Sequence, residues 1–288
     1  MYEFIKAHAP LYPVAVQCAV LKVSRSAYYN WNGQKQSITE EKNNEMEQHI
    51  ISVFGEHRRR YGVRRIVAEL KAKAVKAGAY RVRKVLREHG LKAIQPRSFV
   101  PKTTESRHPY PISPNLLLEC SLPHRPNEVW VGDITYIPLS GGTYGYLAVW
   151  MDLYSRKIIG WHLDDHMKEA LIIAAFKKAL MNRPVTEELI VHSDRGGQYA
   201  GNKFRKLLHA KPLITQSMSR ADNPYDNAFM ESCFSRFKAE LMQDGAFENL
   251  QDAQTEIFEY IEMYYNTKRR HSSLNYEYPD NFEKNYYF

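Results

Sequence analysis

At Asn127 the chain changes character, and that change limits the possible folds more than any other feature. Downstream, "EVWVGDITYIPL", "TYGYLAVWMDLY" and "KIIGWHLDD" are three β-rich runs separated by short turns containing "SGG" and "SR". A helical pattern follows at about 168–181, then the buried-strand pattern "ELIVHSD" and a helix at about 202–209. The strand pattern "LITQSMS", a helix over 223–241 and a last helix over 250–265 complete the order. Three consecutive strands followed by alternating helix and strand predict a mixed sheet covered by helices, an α/β fold.

Upstream the patterns are helical. "VQCAVLKVSRSAYYNWNG" reads as a helix ending near Leu21 and a short helix capped by Ser24, a helix-turn-helix shape. Residues 39–53 form a further helix with Thr39 as its cap. Val63, Ile66, Val67 and Leu70 mark another amphipathic helix, and Val82, Val85 and Leu86 mark one that stops at Gly90. The chain divides into a helical region 1–55, a basic helix-turn-helix segment 56–94, a proline-rich linker 95–126, an α/β core 127–245 and a C-terminal helix with a basic tail, 246–288.

Charge separates these regions. Residues 56–107 hold 16 Lys and Arg against 4 Asp and Glu, a local net of +12; the chain totals +8, so the remainder carries −4. A basic segment on a mildly acidic body points to a polyanion, most simply nucleic acid. Arg81, Arg83, Lys84 and Arg87 lie off the apolar face of the second helix, where they can meet phosphates. A basic hairpin that only braces a core would leave the same pattern. No apolar run approaches the ~20 residues of a membrane span, and "MYEFIKAHAPLYPVAV" lacks a signal-peptide pattern. Cys18, Cys120 and Cys233 are far apart and form no CxxC pair, which argues against a disulfide framework or zinc finger and fits a reducing cytoplasm.

Candidate chemistry comes from acids in unusual places. Asp133 sits among Trp130, Val131, Ile134 and Tyr136, where a charge is costly unless paired or metal-bound. Asp194 ends "LIVHSD" before a Gly-Gly loop, and open α/β sheets bind ligands beyond the carboxyl ends of their strands. In the helix "NPYDNAFMESCFSRFKAEL", Asn223 is the expected cap, and Met230, Phe234, Phe237 and Leu241 form one face. Asn227, Glu231 and Lys238 fall on an adjoining stripe. Two strand aspartates and this glutamate can meet at one rim, an oxygen set suited to Mg²⁺ or Mn²⁺, with two ions about 4 Å apart serving a phosphodiester. Asp152, Asp164, Asp165 and Asp226 compete for the same role. His192 reads as structural.

"WVGDITYIPL", "VHSDRGGQYA", "SMSRADNPYDNAFMESCFSRFKAEL" and "YYNTKRRHSSLNY" together resemble the second-frame (OrfB) protein of insertion-sequence transposases of the IS-three type. "MYEFIK", "VLKVSRSAYYNW" and "RRRYGVRRI" extend the resemblance over nearly the whole chain. It implies a ribonuclease-H-like core, as in retroviral integrases, with a DDE triad that falls on Asp133, Asp194 and Glu231. The last interval has 36 intervening residues, one more than is usual in that family, with the extra residue near "AKPLI". The resemblance also implies that Lys238 contacts donor DNA. Asn227, Gln198 and Tyr199 become supporting candidates, and Arg269, Arg270 and His271 either contact phosphates or brace the fold. The partners implied are element-end and target DNA, further copies of the chain in a synaptic complex, and an upstream-frame (OrfA) protein, joined to it by frameshifting. A nuclease on the same core, or a non-catalytic DNA-binding regulator, would share many of these features.

Overall fold

The computed structural model describes residues 1–33, 38–95, 108–118, 122–220, 224–242 and 245–287. These residues form two compact units, one of residues 1–59 and 69–92, the other of residues 60–68 and 93–288. The helices before the linker are α1 (Tyr2–His8), α2 (Val14–Val20), α3 (Arg25–Asn32), α4 (Ile38–Glu56), α5 (Val63–Ala72) and α6 (Ala79–Glu88). In the first unit α1, α2 and α3 pack around Ile5, Cys18 and Tyr28. Ser24 caps α3 as expected, its hydroxyl accepting a bond from the Ala27 amide at 3.3 Å. Helix α4 starts ahead of Thr39, so that residue lies inside the helix and not at its cap. Gly90 ends the α6 region with φ +64°, a conformation glycine adopts without steric cost.

The second unit is built on five strands: β1 (Val129–Pro138), β2 (Tyr144–Asp152), β3 (Ile158–Asp164), β4 (Leu189–Ser193) and β5 (Ile214–Met218). The sheet order is β3-β2-β1-β4-β5. The first three strands pair antiparallel, while β4 pairs parallel to β1 and β5 parallel to β4. Between them run α7 (Glu169–Asn182), α8 (Gly197–Ala200) and α9 (Asn202–His209). After β5 come α10 (Ala228–Leu241), α11 (Leu250–Phe258) and α12 (Pro279–Tyr287).

Alternation along β1 splits the core in two. Val129 and Val131 join Met230, Phe234 and Phe237 of α10 and Ala253 and Ile257 of α11 on one face. Trp130 joins Leu171, Ile172 and Phe176 of α7 and Phe204 of α9 on the other. Gly132 belongs to this second face because the Trp150 ring lies against it: a Cβ there would stand 2.5 Å from the ring. The next residue, Asp133, therefore faces α10.

Helix α10 begins at Ala228, after a 3-10 turn over Pro224–Asn227, rather than at the expected Asn223 cap, which lies outside the described residues. Its cap position is Asn227, whose side chain makes no capping bond. Helix α11 continues as a π-helical segment over Glu259–Tyr265 that buries Tyr260, Ile261 and Tyr265. Residues between Phe247 and Tyr265 thus share the core of the sheet instead of trailing from it. Helix α12, which the sequence patterns did not reveal, is anchored through buried Glu283, which accepts from Arg183 at 2.5 Å and from the Ser155 hydroxyl.

Candidate active site

Parallel pairing sets the first two acids. Strand β1 runs level with β4 through Val129 and Ile190, Trp130 and Val191, and Val131 and His192. Extending that register two residues places Asp133 opposite Asp194, just past the end of β4. Adjacent strands lie about 4.8 Å apart. The Asp133 carboxylate accepts the Ile134 amide at 2.8 Å, and the Asp194 carboxylate accepts the Gly196 amide at 2.9 Å.

Burial pushes the Asp133 carboxyl well above the usual carboxylate range. The Asp194 charge raises it further and so does Glu231, while the Ile134 amide and Lys238 oppose them. Four sequence-predicted groups, Asp133, Asp194, Glu231 and Lys238, therefore share one electrostatic neighbourhood. Lys238 is held below its ordinary range by burial, with Asp133 opposing. Glu231 stands on the exposed side of α10, next to buried Met230. The three carboxylates do not all lie within 4.8 Å of one another. Among the described residues, the acidic group whose ligand atoms all fall within 4.8 Å of one another is Asp164, Asp165 and His166, at the exposed end of β3.

The competing acids have other work. Asp152 is fully buried and accepts from the amides of Asn127, Tyr154 and Ser155 at 2.7–3.0 Å and from Arg183 at 3.3 Å, which ties the turn after β2. Asp164 lies near the rings of His162 and His166, at 3.8 and 3.6 Å, and accepts the Asp165 amide at 2.8 Å. Asp226 is bonded by Arg220 and Asn115, and Arg220 holds its carboxyl down at about 2.

Supporting residues fall into two groups. Asn227 donates from Nδ2 to the Gly132 carbonyl at 3.4 Å, and its Oδ1 has no hydrogen-bond partner among the described residues. Gln198 donates to the Met167 carbonyl at 3.0 Å. Tyr199 is 1% exposed, its ring set edge-on against Trp150, so it is a core residue rather than a surface contact for DNA. His192 is buried between Ser217 and Ser219.

Two expected DNA contacts need correction. Arg269 is 2% exposed, and its guanidinium donates to both oxygens of Glu240 at 2.8 and 2.7 Å. Glu240 is itself buried, so the pair satisfies two charges that could not stay unpaired there. Arg270 is also buried and donates to the Tyr276 carbonyl at 2.9 Å. Burial pushes His271 down to about 3. On α6, by contrast, Arg83 and Arg87 are exposed. Arg81 reaches the Asn43 carbonyl at 3.4 Å, and Lys84 pairs with Glu88 at 3.7 Å.

Comparison with known proteins agrees with this architecture. Integrase core domain models match residues 123–224 and 213–279, and an HTH-like domain model matches residues 40–99. The chain is 42% identical over 235 residues to the transposase for insertion sequence element IS904 of Lactococcus lactis, covering 82% of this chain and 92% of that one. It is 35% identical over 286 residues to transposase InsF for insertion sequence IS3A of Escherichia coli, covering 98% of each. Among solved structures, the HTLV-2 integrase catalytic core domain in complex with magnesium aligns at 15% identity and a TM-score of 0.40, over 56% of this chain and 98% of that one. A mixed sheet with one aspartate midway along β1 and another just past the end of its parallel neighbour β4, a helical region matching an HTH-like model, and identity along most of the length of known relatives lead to one assignment: the chain belongs to the IS3 family of insertion-sequence transposases, polynucleotidyl transferases of the DDE type.

Proposed function

We propose that this transposase cuts and rejoins DNA at its element's ends through Asp133, Asp194 and Glu231 acting as one metal-binding set. The observation that carries the reading is the parallel register of β1 and β4, which brings Asp133 level with Asp194 on the sheet face packed by the helix of Glu231; burial and the charges of Asp194 and Glu231 raise the Asp133 carboxyl there. Such a set favours a proton or a cation, and carboxylate oxygens are hard donors that suit Mg²⁺ or Mn²⁺. When bound, two such ions would activate the attacking oxygen and steady the leaving one.

The chain's own residues would do the rest. The two aspartates supply fixed oxygens from the sheet, and Glu231, on a longer and exposed side chain, closes the set from α10. Water attacks the phosphodiester at the element end and the 3′ oxygen leaves as a hydroxyl. That hydroxyl then attacks a second phosphodiester, so one P–O bond forms as another breaks, and neither ATP nor a covalent enzyme intermediate is required. Lys238 would hold donor DNA beside Asp133, with Asn227 and Gln198 supporting the loop and helix that border the site. Arg83 and Arg87, with Lys84 and Arg81 beside them, would supply phosphate contacts and a salt-dependent affinity. The first attack would fall on the same strand near the other element end and give a circular intermediate. Further copies of the chain and the upstream-frame protein, alone or as a frameshift fusion, would complete the synaptic complex in the cytoplasm. No described helix is long and apolar enough to cross a membrane.

The test is incubation of the chain, with and without its upstream-frame partner, with labelled element-end DNA and Mg²⁺. Joined product supports the reading; cleavage without joining points to a nuclease, and tight binding without chemistry to a regulator.

A further inference from the structure

The pose of Glu231 depends on where α10 begins, and that beginning is held in an unusual way. The cap position, Asn227, gives the helix no side-chain cap. The residue before it, Asp226, is instead a hub. Its Oδ2 accepts from Asn115 Nδ2 at 2.8 Å and from the Arg220 amide and Nε at 2.8 and 3.1 Å. Its Oδ1 accepts from Arg220 Nη2 at 3.0 Å. Its backbone carbonyl faces His192 Nε2 at 3.1 Å.

The last contact fixes the imidazole. A carbonyl only accepts, so Nε2 carries the proton and Nδ1 accepts from the Ser217 hydroxyl at 2.9 Å. Ser217 Oγ in turn accepts the Leu116 amide at 2.9 Å. One residue further on, Asn227 bonds the carbonyl of Gly132, the neighbour of Asp133. The start of α10 is thus fastened to β1 beside Asp133, to β4 two residues before Asp194, to Arg220 two residues beyond the end of β5, and to the segment that holds Asn115.

We infer that Asp226 is a positioning residue, whose carboxylate sets the reach of Glu231 towards Asp133 and Asp194. Its oxygens are committed to Arg220 and Asn115, so it is not a further metal ligand. This inference rests on the metal-binding reading above. Outer partners that fix a ligand change metal affinity by roughly 10–100-fold, and a misplacement of about 1 Å costs on the order of 100-fold in rate.

The experiment compares full-length wild type, Asp226→Ala and Asn115→Ala. It uses calorimetric titration with Mn²⁺ in the absence of DNA, beside the joining assay. Asp226→Ala is expected to weaken Mn²⁺ binding at least 10-fold and Asn115→Ala about threefold, with far-UV circular dichroism unchanged. A second expected signature is faster amide exchange at Ala228–Glu231 in metal-free protein. A folded Asp226→Ala that binds Mn²⁺ as wild type does overturns the inference. If Asp226→Ala does not fold, Asn115→Ala decides: wild-type affinity there overturns it equally. A wild type that neither binds Mn²⁺ nor joins DNA defeats the metal-binding reading itself, and this inference with it.

Discussion

Asp133, midway along β1, and Asp194, 61 positions later and just past the end of β4, stand level because the parallel register that pairs Val129 with Ile190 and Val131 with His192 carries two residues further. The charge of Asp194 reaches Asp133, whose carboxyl is already raised by burial. The metal-free protein is therefore destabilised by ionising Asp133. Asp133→Asn is expected to abolish joining and yet to stabilise metal-free protein at neutral pH, since a carboxyl whose pKa is raised by folding costs stability when it ionises. Urea unfolding with and without Mg²⁺ checks both halves: the ion should stabilise wild type and leave the variant unmoved.

Burial lowers His192 to about 4 and His271 to about 3, both from 6.5. Between pH 6.5 and about 4 the unfolded chain protonates both while the folded chain keeps them neutral. Their contribution to stability is fully present above pH 6.5 and falls as the pH drops, by up to about 1.4 kcal/mol per pH unit for each ring. Asp133 acts in the opposite sense, so the measurement belongs in the Asp133→Asn background. Unfolding free energies at pH 7 and pH 5 should differ there by several kcal/mol, and His271→Gln should roughly halve the difference. A pH-independent stability would show that neither ring is held neutral.

Gly132 has no room for a side chain, because a Cβ would meet the Trp150 ring at 2.5 Å. Trp150 is fully buried and cannot swing away. Gly132→Ala should destabilise the protein by about 1–3 kcal/mol and lower joining by displacing Asp133. Chemical denaturation and the joining rate report the two effects, and a variant of wild-type stability would contradict the packing described.

Arginines on α6 and in the C-terminal segment should separate cleanly. Arg83→Ala and Arg87→Ala are expected to weaken DNA binding and reduce the salt slope by about 1 each with no change in melting temperature. Arg269→Ala should destabilise the fold by about 3–5 kcal/mol, because it strands buried Glu240. Fluorescence anisotropy across a salt series, beside thermal unfolding, distinguishes them.

The strands, most helices and the placement of Asp133 and Asp194 were readable in the sequence, because strand periodicity, an acid amid the apolar residues of a strand and an acid at a strand end are local signals. Glu231 was readable as the polar edge of an apolar helix face. What escaped was decided at long range. The "KRRH" tail looks like a phosphate patch until Glu240, nearly 30 residues away, proves to claim Arg269. Helix α12 carries a mixed, aromatic-rich pattern, and its anchor is a pair between Glu283 and Arg183 separated by 100 residues. In the sequence Asp226 is one of four acids competing with the triad, whereas its bonds to Asn115 and Arg220 depend on a linker and a strand end brought together only by folding.

The most direct test is the joining assay on single amide variants, Asp133→Asn, Asp194→Asn and Glu231→Gln, each matched to wild type for DNA binding. All three should bind element-end DNA normally and give no joined product with Mg²⁺, a loss of at least 1,000-fold. Joining by Glu231→Gln at the wild-type rate would remove α10 from the active site and contradict the account.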